Sequence, residues 1–179
     1  FWPTSGTLAG QGGALAGHPN LGAAYRDRDI PIIKSSWSAE VVENNLPLRN
    51  ILTAVYNATG GANWQNREGW LGEPGTECDW YGVRCDNGVL VGLDMPNNNL
   101  TGVLPAELWN TTTLHFLNLH SNNLYGELPS AATFAAMTRF FGGLDLGGND
   151  YTGPLPAGLG SLRNVTGIYL WGNRFSGPI

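Results

Sequence analysis

A chain of 179 residues is long enough for one modest domain with an appendage. Charged residues make up 13%, about half the usual share, and the net charge of −5 disfavours nucleic acids and anionic membranes as partners. No stretch approaches the ~20 consecutive apolar residues of a membrane-spanning helix, so we expect no direct membrane insertion.

Residues 1–36 are rich in glycine and alanine and show no sustained period of 2 or 3.6 residues. This composition predicts an extended arm rather than an element of the core. Two readings stay open, a flexible tail and an arm that becomes ordered on a partner. The second reading would use the apolar residues of the arm as anchors, namely Phe1, Trp2, Leu8, Leu15, Leu21 and Tyr25.

Residues 37–61 are predicted to be helical. Ser38 is placed to cap a short turn, and Pro47 suits the first turn of a helix. Gly60 and Gly61 supply the stop signal. One face of the predicted helix is apolar at helical spacing and must be buried on a neighbour, and it consists of Leu48, Ile51, Leu52, Val55 and Tyr56.

The second half of the chain repeats itself. Asn98, Asn122, Asn149 and Asn173 are 24, 27 and 24 residues apart. Apolar residues stand five and three positions before each asparagine, and a glycine always stands four positions after it. An alternating L-x-L segment predicts a short strand with both leucines pointing inward, and an asparagine amide after it can satisfy buried turn groups. One such unit cannot bury its own leucines, so the units must stack, which places the asparagines in a ladder.

The motif LxxLxLxxNxLxGxLP resembles the plant-type leucine-rich repeat, and the segment before it resembles the N-terminal cap of that family, with its W…C-x-W-x-G-V-x-C pattern. The resemblance covers about residues 47–179. It implies an α/β fold, a right-handed solenoid with a short parallel sheet on its concave face. Together with the composition of the arm and the helical pattern, it divides the chain into the arm at 1–36, a helical cap at 37–89 and four repeats at 90–179, the last incomplete.

The resemblance also implies that Cys78 and Cys85 form a disulfide in the cap and that Trp64, Trp70 and Trp80 pack over the open edge of the first repeat. Half of a metal site is the alternative for the two cysteines, but no cysteine or histidine stands at zinc-like spacing beside them. A crosslink of this size would add roughly 2–3 kcal/mol of stability in the chain-entropy model. We expect no metal and no cofactor.

The residues that flank the inward leucines project from the concave sheet. We expect exposed aromatic residues there to contact a ligand, together with the histidine, asparagine and aspartate side chains beside them. The glycines of the third unit are expected to leave a shallow trough. The predicted ligand-binding residues are Asp94, His115, Phe116, Asn118, His120, Asp145, Tyr169 and Trp171.

Catalysis and metal binding are weaker readings of the same face. His115 and His120 are not accompanied in sequence by a cysteine or a carboxylate that would complete a site. Asp94 and Asp145 are expected in one column, roughly 9–10 Å apart at normal strand spacing, which overlaps the wide end of an inverting glycosidase pair. We expect a wet strand face that leaves the pKa of either carboxyl unraised. We therefore predict that the protein is not an enzyme.

Four Asn-x-Thr sequons begin at Asn57, Asn99, Asn110 and Asn164 and are candidates for N-glycosylation. With a disulfide, they favour a secreted or extracellular protein, and the alternative is an oxidising organelle lumen.

The predicted function is non-catalytic binding of a protein partner, with carbohydrate as a second ligand class. Its alternative is a structural subunit of a larger assembly, anchored through the N-terminal arm and the repeat surface. The chain ends inside the fourth unit, so we expect either a longer natural protein or a partner over Tyr169–Ile179.

Overall fold

The computed structural model describes residues 46–177. The predictions for the arm at 1–36 and for the turn capped by Ser38 lie outside the described residues. Helix α1 (Leu46–Ala58) opens the described part, as the apolar spacing predicts. It buries Leu48, Leu52 and Val55, and the chain then turns at Gly60, whose φ of 69° is costly for a residue with a Cβ.

The cap continues through two short 3₁₀ turns, Gly61–Asn63 and Glu77–Asp79, into strand β1 (Val83–Asp86). The disulfide between Cys78 and Cys85 is confirmed, with the two Cα atoms 5.6 Å apart. It joins the second 3₁₀ turn to β1, and so ties the irregular part of the cap to the first strand of the sheet.

The predicted tryptophan packing is also present. Trp64 and Trp70 meet edge to face with ring centroids 4.7 Å apart, and Trp70 lies 5.1 Å from Trp80. All three rings are buried in the same core as the leucines of the repeats. Rings of this size cover the inward leucines that the first strand of a stack would otherwise expose.

A partly buried ion pair also stabilises the cap. The Glu77 carboxylate is almost fully buried, and the Arg49 guanidinium donates to it at 2.7 Å. Arg49 also donates to the Gly72 carbonyl and lies over the Trp80 ring, 5.3 Å from its centroid. The backbone N–H of Gly75 donates to the second Glu77 oxygen, so both carboxylate oxygens are bonded.

Among residues 46–177, the main sheet has five strands in the order β1, β2 (Val89–Asp94), β4 (Phe116–Asn118), β6 (Gly143–Asp145) and β8 (Gly167–Tyr169). β1 pairs with β2 antiparallel, and every later pair is parallel. Leu93, Leu117 and Leu144 are register partners and are buried, as the repeat alignment predicts.

A second sheet runs along one side of the repeats, in the order β3 (Thr101–Gly102), β5 (Asn123–Glu127) and β7 (Asp150–Thr152). All its pairs are parallel, and Pro154 and Ser176 extend it by an isolated bridge. We call this surface the lateral sheet. It leaves Val103 and Tyr125 about half exposed.

The four asparagines form a column that links neighbouring coils. The Asn122 side-chain oxygen accepts from the backbone N–H groups of Asn98 and Leu100, and its amide nitrogen donates to the carbonyls of Met95 and Leu119, all at 2.9–3.0 Å. One and two coils on, the side-chain oxygens of Asn149 and Asn173 each accept from one backbone N–H, that of Leu124 or Tyr151, and each amide nitrogen donates to carbonyls of its own and the preceding coil. In the cap, Asn98 exchanges two bonds with the backbone of Asn66, at 2.6 and 2.8 Å.

The outer side of the coils holds short helical segments, α2 (Ala106–Trp109), α3 (Ala131–Ala136) and a 3₁₀ turn at Ala157–Ser161. Helix α3 is capped at its N-terminus by Ser130, whose side-chain oxygen accepts from the Thr133 N–H at 3.4 Å. It stops because Met137 leaves the helical region, and Met137 and Phe140 turn into the core.

Candidate binding face

The concave face of the main sheet carries one column of polar side chains. Asp94 pairs in register with Asn118, Asn118 with Asp145, and Asp145 with Tyr169. Since alternate residues of a strand point to opposite faces, these four lie opposite the inward leucines. The sheet thus brings four of the predicted ligand-binding residues into one row.

The expectation that these carboxylates are wet is wrong. Asp94 is 9% exposed and Asp145 is 0% exposed. Burial raises the pKa of the Asp94 carboxyl, while Arg84 at 3.8 Å and the Asn118 amide, which donates to it at 2.9 Å, act in the opposite direction. Arg84 lies beside Asp94 and His120 lies beside Asp145, and the repeat pattern reveals neither contact.

Phe116 was expected to be exposed, and this expectation is also wrong, because only 9% of its surface is accessible. Its ring lies over Gly92 on the neighbouring strand, where an added Cβ would overlap the ring. On its other side, a Cβ at Gly142 would stand 2.6 Å from the Cβ of Phe116. The absence of a side chain at these glycines therefore leaves the space that the Phe116 side chain occupies, and Gly142 does not line an open trough.

Trp171 is the most exposed large apolar side chain of the described residues, with 58% of its surface accessible. Its indole leans on Gly147, where an added Cβ would stand 3.0 Å from the ring. The His120 ring is 5.0 Å away, centroid to centroid. Trp171 thus presents a large apolar surface while the sheet fixes one side of it.

His120 does have a carboxylate beside it, contrary to the expectation from sequence. Its Nδ1 is 3.6 Å from an Asp145 oxygen, and its Nε2 is 2.8 Å from the Ser121 hydroxyl. The order serine, histidine, aspartate is that of a hydrolase triad. However, the nearest backbone N–H groups already have acceptors. Ser121 donates to the Gly147 carbonyl, Gly147 to the Asp145 carboxylate, and Gly148 to the Trp171 carbonyl.

Those N–H groups would have to stabilise the oxyanion of a tetrahedral intermediate. Because these N–H groups already donate to other acceptors, the cluster does not point to acyl-transfer chemistry. Among residues 46–177, no group of three or more His, Cys, Asp or Glu side chains could hold a metal ion. The cluster of Ser121, His120 and Asp145 is better suited to holding the side chains around Trp171 in place.

Sequence reasoning missed one residue of this face, Phe141, which is 44% exposed and lies 4.5 Å from the His115 ring, centroid to centroid. Phe140 is buried instead. The N–H groups of Phe141 and Gly142 both donate to the His115 carbonyl, so the chain carries an extra residue at this point. The available signal was the Phe-Phe pair in the coil with 27-residue spacing.

Comparison with known proteins agrees with the fold. Residues 90–111 and 113–133 match the family model described as Leucine Rich Repeat. The chain is 30% identical over 96 residues to the LRR receptor-like serine/threonine-protein kinase GSO2 of Arabidopsis thaliana, covering 54% of this chain and 8% of that protein. The chain thus spans a small part of the length of this relative.

Two solved structures are similar over 73% of this chain. One is the BIR2 ectodomain of Arabidopsis thaliana, with a TM-score of 0.65, 26% identity and 70% of that chain covered. The other is the Arabidopsis receptor kinase HAESA in complex with the peptide hormone IDA and the co-receptor SERK1, with a TM-score of 0.62, 30% identity and 22% covered.

In the described part of this chain, no helix is long and apolar enough to cross a membrane. The repeat motif, the disulfide-bonded cap, the parallel sheet and these similarities agree with one another. The described part of the chain therefore has the fold of plant leucine-rich-repeat ectodomains, with leucine-rich repeats and a disulfide-bonded N-terminal cap.

Proposed function

We propose that this chain is a non-catalytic module that binds a protein partner through the concave face around Trp171. The observation that carries the proposal is the exposed indole of Trp171, seated on Gly147 beside His120. An aromatic ring held rigid loses little conformational entropy on binding, and tryptophan is enriched among the residues that dominate interface energies.

The surroundings of Trp171 support this role. Asp145 is buried and bonded to the Gly147 N–H, so it stabilises the strand end on which the indole rests. Tyr169 precedes Trp171 by two residues and lies partly exposed in the polar column. The similarity to HAESA, which is solved with a peptide hormone and a co-receptor, supports a protein partner rather than the carbohydrate alternative.

We further propose that the chain works outside the cell, with an oxidising organelle lumen as the alternative. The Cys78–Cys85 disulfide and the similarity to the BIR2 ectodomain support this location. The alternative role as a structural subunit depends on residues 1–36, which lie outside the described residues. Loss of an assembly on removal of residues 1–36 would favour that role.

The lateral sheet provides a matched control for the test. Tyr125 is an aromatic residue that is 50% exposed, close to the 58% of Trp171, and it lies on β5 rather than on the concave face. A photo-reactive amino acid is placed at position 171 in one full-length protein and at 125 in another, and each is irradiated in native extract. We expect one defined protein to crosslink at 171 and not at 125. Equal crosslinking at both positions, or crosslinking at 125 alone, contradicts the proposal.

A further inference from the structure

The four sequons have different surroundings in the folded chain. Their asparagines Asn57, Asn99, Asn110 and Asn164 are all exposed, so exposure of the acceptor does not separate them. A glycan fits the folded chain where the fold uses neither the hydroxyl of the threonine nor the amide of the asparagine, and acceptor sequons lie in surface loops. These two requirements do separate the four.

The fold already uses one chemical group of the sequon at Asn57 and at Asn99. Asn57 lies in helix α1, and the hydroxyl of its partner Thr59 is fully buried and donates to the Val55 carbonyl at 2.7 Å. The Asn99 amide nitrogen donates to the Asn63 carbonyl at 3.0 Å, and its oxygen accepts from the Asn123 amide at 3.1 Å. A sugar on Asn99 would replace one hydrogen of the side-chain amide that makes these two hydrogen bonds.

The other two sequons meet both requirements. Asn110 follows α2 as its C-terminal cap residue, and Asn164 lies in the turn between the 3₁₀ segment Ala157–Ser161 and β8. Their threonines, Thr112 and Thr166, are exposed. Within residues 46–177, no side-chain hydrogen bond of the structure involves the amide of Asn110 or Asn164, in contrast to Asn99.

We propose that Asn110 and Asn164 carry N-linked glycans and that Asn57 and Asn99 do not. The inference rests on the extracellular or lumenal location in the proposed function. Both acceptors precede a strand of the main sheet, Asn110 in the segment between α2 and β4 and Asn164 in the turn before β8. The asparagine column and Trp171 come after the parallel strands. In each coil, the proposed glycan and the proposed binding surface therefore lie on segments at opposite ends of the strand.

The test uses the full chain secreted from a eukaryotic cell with an added signal peptide, so it does not depend on the natural location or on the binding partner. The purified protein is treated with peptide N-glycosidase in ¹⁸O-labelled water and digested, and the labelled aspartates are located by mass spectrometry. We expect label at positions 110 and 164, and little at 57 or 99.

Matched variants assign each glycan. Asn110→Gln and Asn164→Gln should each remove the mass of one glycan, whereas Asn57→Gln should leave the intact mass of the glycoprotein otherwise unchanged. Thr101→Ala destroys the Asn99 sequon at an exposed position without altering the Asn99 amide, and it should also leave the glycan mass unchanged. Label at 57 or 99 equal to that at 110 and 164, or no label at all, overturns the inference. Either result leaves the crosslinking test at Trp171 unaffected.

Discussion

Asn122→Ala should be among the most damaging polar substitutions in this protein. The substitution removes the partner of two buried backbone N–H groups, those of Asn98 and Leu100, and of the Met95 carbonyl. The Leu119 carbonyl loses one of its two donors and keeps the Asn149 amide. An unsatisfied buried polar group costs about 1–3 kcal/mol. Water entering the space left by the amide would recover part of the loss. We therefore expect a loss of about 4 kcal/mol in the free energy of unfolding, a large fraction of the ~5–15 kcal/mol typical of a domain.

The assay is urea unfolding followed by far-UV circular dichroism with the disulfide intact, for wild type and variant. Hydrogen exchange adds a local readout, since the amides of Asn98 and Leu100 should lose protection first. Asn123→Ala is the control, because Asn123 is exposed and its side chain bonds only to another exposed residue, Asn99. We expect the control to change stability by less than about 0.5 kcal/mol. If Asn122→Ala lies within about 1 kcal/mol of that control, the reasoning about the column is refuted.

Three further substitutions test other buried polar groups. Tyr151→Phe should raise stability by about 1 kcal/mol in urea unfolding, because the Tyr151 hydroxyl is buried without a hydrogen-bond partner among the described residues; a loss would contradict this. Glu77→Gln should lower the free energy of unfolding by about 2 kcal/mol, because it weakens the charged hydrogen bond to Arg49. Glu73→Gln, at an exposed position, should leave it almost unchanged, and thermal unfolding of both variants measures the difference. The pKa of Asp94 is raised by burial, so its ionisation opposes folding. The contribution of Asp94 to wild-type stability should therefore fall as pH rises above the ordinary aspartate pKa of about 3.9, so the stability of Asp94→Asn relative to wild type should rise over that range; a difference that does not change with pH would contradict the assignment.

The positions of the inward leucines and of the asparagine column could be predicted from the sequence, because each position requires a particular type of side chain. An inward leucine must be apolar, and the column position must be an amide that both donates and accepts. Leu117 and Asn122 meet these requirements five residues apart, and Leu93 and Asn98 do so one coil earlier. Local chemistry thus determined the strand register and the column.

The surface of the concave face could not be predicted in the same way. Whether Phe116 is exposed depends on the missing side chain of Gly92, which stands 24 residues earlier in the chain but beside it in the sheet. The approach of His120 to Asp145 likewise depends on the pairing of two strands. In the cap, the Arg49–Glu77 bond joins residues separated by 28 positions with no periodic pattern between them. Each of these contacts arises from packing between segments, and no single segment carries its signal.

The most direct test of the account is the affinity of the protein that crosslinks at position 171 for three purified full-length proteins: wild type, Trp171→Ala and Tyr125→Ala. Truncation of a central aromatic residue costs about 2 kcal/mol or more in binding free energy, which is roughly 30-fold in Kd. We expect Trp171→Ala to weaken Kd by at least that factor without changing the unfolding midpoint by more than a few degrees, and Tyr125→Ala to leave Kd within about twofold of wild type. Equal affinities for all three proteins, or a loss confined to Tyr125→Ala, would contradict the assignment of the concave face as the binding surface.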